Sequence, residues 1–339
     1  MAENNNSKKK HSNSAHYHQQ KMLEVQEKLE TGVREIYSSG KYREYITAMS
    51  KFPHHSINNC ILIASQKPTA SLVCGFHKWQ KDFNRTVNKG EHGIMILAPI
   101  KRKADLEEPV HDKDGKPVLD EIGNPLMQKV TREFASFRPV YVFDVSQTNG
   151  DPIPTLATEL TDPVEDFEAL KQTLMDIAPV PVSFAPIPGE VHGYYSPTEQ
   201  KIVIDQGMPE LQTIKTMIHE IAHATLKHGS SEDRWDRETH EVQAESVAYW
   251  VTQLLGLDTS DYSFGYITGW SKDREVSELK ENLELIKATS DELSQRIAKA
   301  LSERLANVDR PEASRTDGTE PAIEESQEAP QKIRRHFHR

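Results

Sequence analysis

The sequence predicts an α+β chain built in two unlike parts, and three observations predict it. Apolar residues at helical spacing alternate with short strand-like runs in both halves, so neither half is all-helical or all-strand. The charge divides: residues 1–150 hold 22 Lys and Arg against 17 Asp and Glu, a balance of +5, whereas residues 151–339 hold 19 against 35, a balance of −16. Between the halves, Gln147–Pro154 brings an Asn-Gly step and two prolines together, the composition of a connection. A chain of 339 residues is also longer than one typical domain. The expected division is a disordered polar tail at 1–20, a first domain at 21–148, a linker at 149–162, a second domain at 163–308 and a second disordered tail at 309–339.

Composition excludes several classes. Charged residues make up 27% of the chain and mean hydropathy is −0.67. No apolar run approaches the roughly 20 residues of a membrane-spanning helix. The N-terminus, MAENNNSKKKHSNSAHYHQQ, lacks the apolar core of a secretory leader, so the cytoplasm is the expected location. Cys60 and Cys74 fit a reducing compartment and cannot staple a framework. The net charge of −11 is wrong for a general DNA-coating protein; only the first half has a suitable balance.

In that half, Met22, Leu23, Leu29, Val33, Ile36 and Tyr37 predict an amphipathic helix ending near Gly40. A second helix is expected over Lys41–Lys51, and a third follows Ser56, whose hydroxyl suits an N-cap, and stops before Pro68. In Leu72–Ile100, Phe76, Trp79 and Phe83 interleave with Lys78, Lys81, Arg85 and Lys89. Aromatic faces stack bases and cations track phosphates, which is what binding single-stranded nucleic acid needs. The same aromatic spacing equally makes a core stripe beneath a solvated charged face. Asn88-Lys89-Gly90 and Glu91-His92-Gly93 turn into a strand at Ile94–Pro99, and Pro139–Val145 supplies another. The polar stretch Lys101–Glu133 between them reads as a long hairpin or insertion; Asp112-Lys113-Asp114-Gly115 opens like a calcium loop but lacks the closing glutamate.

Four motifs in order are similar to the N-terminal domain of ArdC-type antirestriction proteins. They are N-x-x-L-I-x-x-Q-x-P (Asn59 to Pro68), G-F-x-x-W (Gly75 to Trp79), R-x-V-x-K-G-E-x-G-I (Arg85 to Ile94) and V-F-D-V-S-Q-T (Val142 to Thr148). The resemblance covers about residues 20–150 and implies a single-stranded-DNA-binding module of mobile elements. It favours Lys78, Trp79, Lys81, Arg85 and Lys89 as DNA contacts.

The second half opens with an expected helix at Pro163–Ile177. Strand runs follow at Val182–Ala185, Gly193–Tyr195 and Lys201–Ile204, the last two joined by the Ser196–Glu199 turn. Then comes PELQTIKTMIHEIAHATLKH, Pro209–His228. Its apolar residues form one helical stripe, and His219 and His223 sit one turn apart on its border. H-E-x-x-H in this setting is the zinc-peptidase pattern: two imidazoles reach one Zn2+, and Glu220 holds a water beside it as general base. Such a site needs a third protein ligand and an open position for solvent. The next helix, Arg237–Leu255, offers Glu241 and Glu245 on the border of its own apolar stripe. Glu241 is assigned as third ligand and Glu245 as the carboxylate that orients a liganding histidine, with the reverse order left open. His228 and His240 are read as nearby but facing elsewhere, either on the surface or in support of the ligands. Tyr194, Tyr195, Tyr262 and Tyr266 stand unranked as donors to a developing oxyanion. Two charged helices, Lys272–Ala288 and Asp291–Asn307, complete the half.

The hairpin Gly193–Ile204, His219–Ala224 and E-x-x-A-E (Glu241 to Glu245) resemble the ImmA/IrrE-type and SprT-like metallopeptidases. That resemblance implies a zincin-like domain and agrees with the first, since ArdC-type proteins carry such a domain after the DNA-binding one. The combined expectation is an antirestriction-type protein that binds single-stranded DNA and carries a zinc peptidase acting on an unidentified protein. Two other readings remain at this point: a DNA-binding protein whose zinc only holds the fold, and a peptidase that cleaves a DNA-bound repressor.

Overall fold

The computed structural model describes residues 3–120, 122–153, 167–259, 262 and 264–308. The expected linker falls mostly outside these residues, and the expected C-terminal tail at 309–339 wholly so. Three helices come first: α1 (Glu3–Ser38), α2 (Tyr42–Ser50) and α3 (Ile57–Gln66). Helix α1 begins inside the segment whose composition reads as a tail. The Ser56 hydroxyl caps α3 as expected, accepting from the Asn59 amide at 3.4 Å.

There follow β1 (Val73–Gly75), α4 (Phe76–Phe83), β2 (Arg85–Val87), β3 (Ile94–Pro109), β4 (Met127–Asp144) and β5 (Thr148–Gly150). Strands β3 and β4 pair antiparallel along their whole length, from Ile94↔Val142 to Pro109↔Met127, so the polar stretch between the two apolar strands is a long hairpin arm. At its tip Asp112 Oδ1 accepts from the amides of Asp114 and Lys116, both at 2.9 Å, which is a turn and not a cation loop. Asp120 repeats the arrangement with Ile122 and Asn124.

The sheet order β1-β4-β3 leaves β3 at an edge. Helix α3 covers it with two side-chain amides. Asn59 exchanges a pair of hydrogen bonds with Leu97 (2.9 and 2.8 Å), and Gln66 does the same with Met95 (2.9 and 3.1 Å). Each amide thus stands in for the backbone of a missing neighbour strand and satisfies donors that would otherwise stay unpaired. Asp144, at the end of β4, is a second fixed point. It is 1% exposed, and its carboxylate accepts from the backbone amides of Ser71 (2.8 Å), Leu72 (3.1 Å) and Ser146 (2.9 Å). Gln147 closes the box, accepting from the Asp144 amide and donating to Glu91 and to the His92 carbonyl, each at 2.9 Å.

The second half adds α5 (Phe167–Ile177), β6 (Val182–Ala185), β7 (Gly193–Ser196), β8 (Lys201–Asp205), α6 (Glu210–Thr225), α7 (Arg237–Leu254), α8 (Ile267–Ser271) and α9 (Val276–Val308). The sheet runs β6-β8-β7, with β6 and β8 parallel, β7 and β8 antiparallel, and β7 at an edge. Helix α9 is continuous where two helices were expected. Thr289 and Ser290, at the anticipated break, are buried in the helix, and the Lys287–Asp291 ion pair bridges them one turn apart.

One apolar core runs through both halves. Tyr37 of α1 donates to the Leu279 carbonyl of α9 at 3.0 Å, the Tyr42 hydroxyl lies 2.8 Å from Ser246 Oγ, and Thr47 Oγ1 lies 2.6 Å from the Tyr249 hydroxyl. Helix α2 therefore backs α7, which carries half of the site described next, while α1 is tied to α9. No helix among the described residues is long and apolar enough to cross a membrane.

Candidate metal centre

Helix α6 starts after Pro209, and its apolar stripe is buried against the small sheet and α7: Ile214, Met217, Ile218, Ile221 and Ala222 are at most 2% exposed. Burying that stripe fixes the rotation of α6 and brings His219 and His223 to its rim. Helix α7 is capped by Asp236, which accepts from the Thr239 amide at 2.8 Å, and buries Val247, Ala248, Trp250 and Val251. Its rim carries Glu241 and Glu245 toward the paired histidines.

The ring nitrogens His219 Nε2 and His223 Nε2 are 3.0 Å apart, and Glu241 Oε2 lies 3.6 and 3.9 Å from them. These three donors all lie within 4.8 Å of one another. Donors sharing a tetrahedral ion at about 2.1 Å stand about 3.4 Å apart. Two imidazoles and one carboxylate at this spacing fit a divalent transition ion. Glu245 lies on the other nitrogen of His219, with Oε2 3.2 Å from Nδ1. The geometry thus separates the two carboxylates, Glu241 on the ligand side and Glu245 behind the ring.

Electrostatics follow from this packing. Burial works against charging His219, but the nearby carboxylates of Glu241 and Glu245 outweigh it and raise its pKa to about 10. His223 goes the other way, down to about 3, through burial and then the charge of His219. Burial raises Glu220, which is 7% exposed, while His219 and the Tyr195 amide of β7 oppose the rise. That amide donates to the Glu220 carboxylate, so the free edge of the sheet holds the general-base candidate in place. A cavity of about 270 Å³ opens beside it, lined by His192, Gly193, His219, Glu220, Glu245 and Tyr262 among others. Gly193 keeps it close to α6, because a Cβ there would meet Thr216 Cγ2 at 2.8 Å. Burial and the charges of Glu245 and Glu241 raise the Tyr266 phenol.

His228 corrects the expectation that it faces elsewhere. It is 4% exposed, its Nδ1 lies 2.7 Å from His223 Nδ1, and its ring stacks on His240 at 4.3 Å and 14°. A spacing of five residues is not a helical contact; the helix end creates it. Lys227 takes a left-handed conformation (φ 56°), its amide bonds to the Ala224 carbonyl, and the His228 amide reaches back to the His223 carbonyl at 3.1 Å. This paired closure normally uses glycine at the left-handed position. Lys227→Gly should therefore stabilise the protein by about 1 kcal/mol, checked by thermal or urea unfolding. An unchanged or lowered midpoint would contradict it.

The nucleic-acid candidates do not stay together. Trp79 is fully buried and its indole N–H donates to the Phe143 carbonyl at 2.9 Å, so it is a core residue and has no face for a base. Arg85 spends its guanidinium on Thr148 Oγ1 and on the Thr148, Gly150 and Asp151 carbonyls, tying β2 to β5. Lys78, Lys81 and Lys89 are exposed. What residue spacing missed is an aromatic face on β4. Phe137 is 53% and Tyr141 47% exposed, and Phe76, 51% exposed, sits edge-on to Phe143 at 6.0 Å. Residues 137, 141 and 143 alternate onto one face of the strand, and Lys101 shares it through its pairing with Ala135.

Residues 139–243 match the model of a family described as "Putative metallopeptidase family (DUF6782)". An uncharacterized protein of Bacillus anthracis is 27% identical over 312 residues, covering 83% of this chain and 52% of its own length; the chain spans about half of that curated relative. Two solved structures of the antirestriction ArdC protein from the R388 plasmid are also similar. The metal-free one is 21% identical at a TM-score of 0.39, over 76% of this chain and 87% of that one. The Mn(II)-bound one is 17% identical at a TM-score of 0.38, over 78% of this chain and 98% of that one.

Proposed function

We propose that the chain is an antirestriction-type protein of mobile elements that acts in the cytoplasm, binds single-stranded DNA and hydrolyses a peptide bond in a protein partner at a zinc site. The zinc is held by His219, His223 and Glu241. The observation that carries this reading is the convergence of those three donors from two helices, with Glu220 beside them and a cavity bordered by His219 and Glu220. An ion that only holds a fold is closed by four protein ligands. Here three donors gather among the described residues, and the Glu241 side chain is 49% exposed, so solvent reaches the ligand side, which favours catalysis.

A bound zinc would supply Lewis acidity, polarising the scissile carbonyl and acidifying a water. The chain's own residues do the rest. Strand β7 lies at an edge of its sheet beside the cavity, so an extended peptide can lie along it. Glu220, steadied by the Tyr195 amide, takes the proton from the attacking water and returns it to the leaving amine. Glu245 orients His219 from behind. Metal analysis of the purified chain, combined with mapping of cleaved peptides by mass spectrometry, tests the reading. No bound metal, or equal cleavage after chelation, sinks it.

For the DNA-binding half, the support is the ordered series of ArdC-like motifs together with the exposed aromatic face of β4. Joint Phe137→Ala and Tyr141→Ala replacement should weaken binding to a fluorescent oligo-dT by about 1–3 kcal/mol per lost stack. Unchanged anisotropy titrations would remove this face from the binding surface.

A further inference from the structure

Behind His223 lies a chain of buried polar groups whose polarity is set from one end. The Glu278 carbonyl of α9 can only accept, and Asn282 Nδ2 donates to it at 3.0 Å. That turns Asn282 Oδ1 toward Gln243, whose Nε2 donates to it at 2.6 Å. Gln243 Oε1 must then accept, and it lies 2.8 Å from His228 Nε2, which therefore carries a proton. Neutral His228 is left with a lone pair on Nδ1, 2.7 Å from His223 Nδ1. The proton between them sits on His223, and its lone pair is on Nε2, the nitrogen that faces His219 and Glu241. Reversing any amide would set two acceptors or two donors face to face.

We infer that His228, Gln243 and Asn282 are positioning residues that lock His223 into the tautomer a metal needs. The inference rests on the metal reading above. Three polar side chains buried to this degree are costly to keep unless fully satisfied: Gln243 and Asn282 are 0% and His228 4% exposed. His240 stacks on the His228 ring, and its Nε2 lies 2.6 Å from Asp233 Oδ2. The two liganding imidazoles are thus steadied differently. A carboxylate backs His219, and a neutral relay reaching α9 backs His223.

The test uses the full chain, free and zinc-loaded. Zinc affinity is measured by competition with a chromogenic chelator, and histidine tautomers of the metal-free protein are read from ¹⁵N NMR. Gln243→Leu and Asn282→Leu should each weaken zinc about 10–100-fold. Asn282→Asp should stay within about 3-fold of wild type, because a buried aspartic acid protonated on the oxygen facing the Glu278 carbonyl still accepts from Gln243 on the other. A role in packing alone would not separate the aspartate from the leucine variant. Wild-type His223 should show Nδ1–H and a bare Nε2. Leucine variants that fold and bind zinc normally overturn the inference. So does an Nε2–H tautomer at His223, a readout that serves even if the leucine variants do not fold. A wild-type chain with no zinc affinity overturns the metal reading itself, and does so whatever tautomer the NMR records.

Discussion

Glu220→Gln should leave zinc content unchanged and lower peptide hydrolysis by about 10²–10⁴-fold, the range a positioned general base contributes. The side chain is nearly enclosed, and it accepts from the Tyr195 amide on one side and feels His219 on the other. Glutamine keeps the volume and can still accept that amide, so the fold and the three donors should be undisturbed. What it loses is the ability to hold a proton taken from water. The measurement pairs metal quantification with cleavage of a fluorogenic protein substrate at matched loading. Retained zinc-dependent cleavage would transfer the proton-handling role to another group, with Glu245 the next carboxylate along the cavity wall. Loss of metal together with activity would instead make Glu220 part of the site's scaffold.

The parts of the molecule that were legible from residues alone are those fixed by short-range periodicity. The apolar stripes of α6 and α7, the β7–β8 hairpin and the Ser56 cap all follow from neighbours within a few positions. The donor set was legible for the same reason: His219 and His223 share a helical face, and Glu241 and Glu245 share another. His228 was not, because it reaches His223 through a left-handed turn at Lys227 that no glycine announces. Gln243 and Asn282 were hidden more deeply, one on α7 and the other on α9.

Trp79 shows a different limit. An aromatic among lysines fits a base-stacking surface and a core stripe equally well, and only the Phe143 carbonyl, far along the chain, decides for the core. The motifs that carry the first-half resemblance are largely structural in the same way. Asn59 and Gln66 cover a strand edge, and Arg85 ties down β5. Motifs that carry a resemblance can thus mark a fold and not a binding surface.

Asp144 gives the largest expected effect on stability. Its carboxylate collects three backbone amides and the Ser146 hydroxyl, and through them joins the start of β1, the end of β4 and the turn into β5. Truncation to alanine leaves those amides without an acceptor in a place water barely reaches, at about 1–3 kcal/mol for each group left unpaired. Allowing for relaxation, Asp144→Ala should cost about 3 kcal/mol, read as a fall in the urea midpoint at unchanged slope. Asp144→Asn keeps one acceptor oxygen and should cost less. Although burial alone would raise its pKa, the hydrogen bonds from Ser146, Ser71 and Leu72 prevail and depress it. A carboxyl depressed in the folded state adds stability above its unfolded value, about 3.9, and that share is lost as pH falls through the lower folded value. The difference between wild type and Asp144→Ala should therefore be full at neutral pH and shrink below about pH 4. A gap that stays constant into that acid range would mean the carboxylate's charge is not what holds the three segments together.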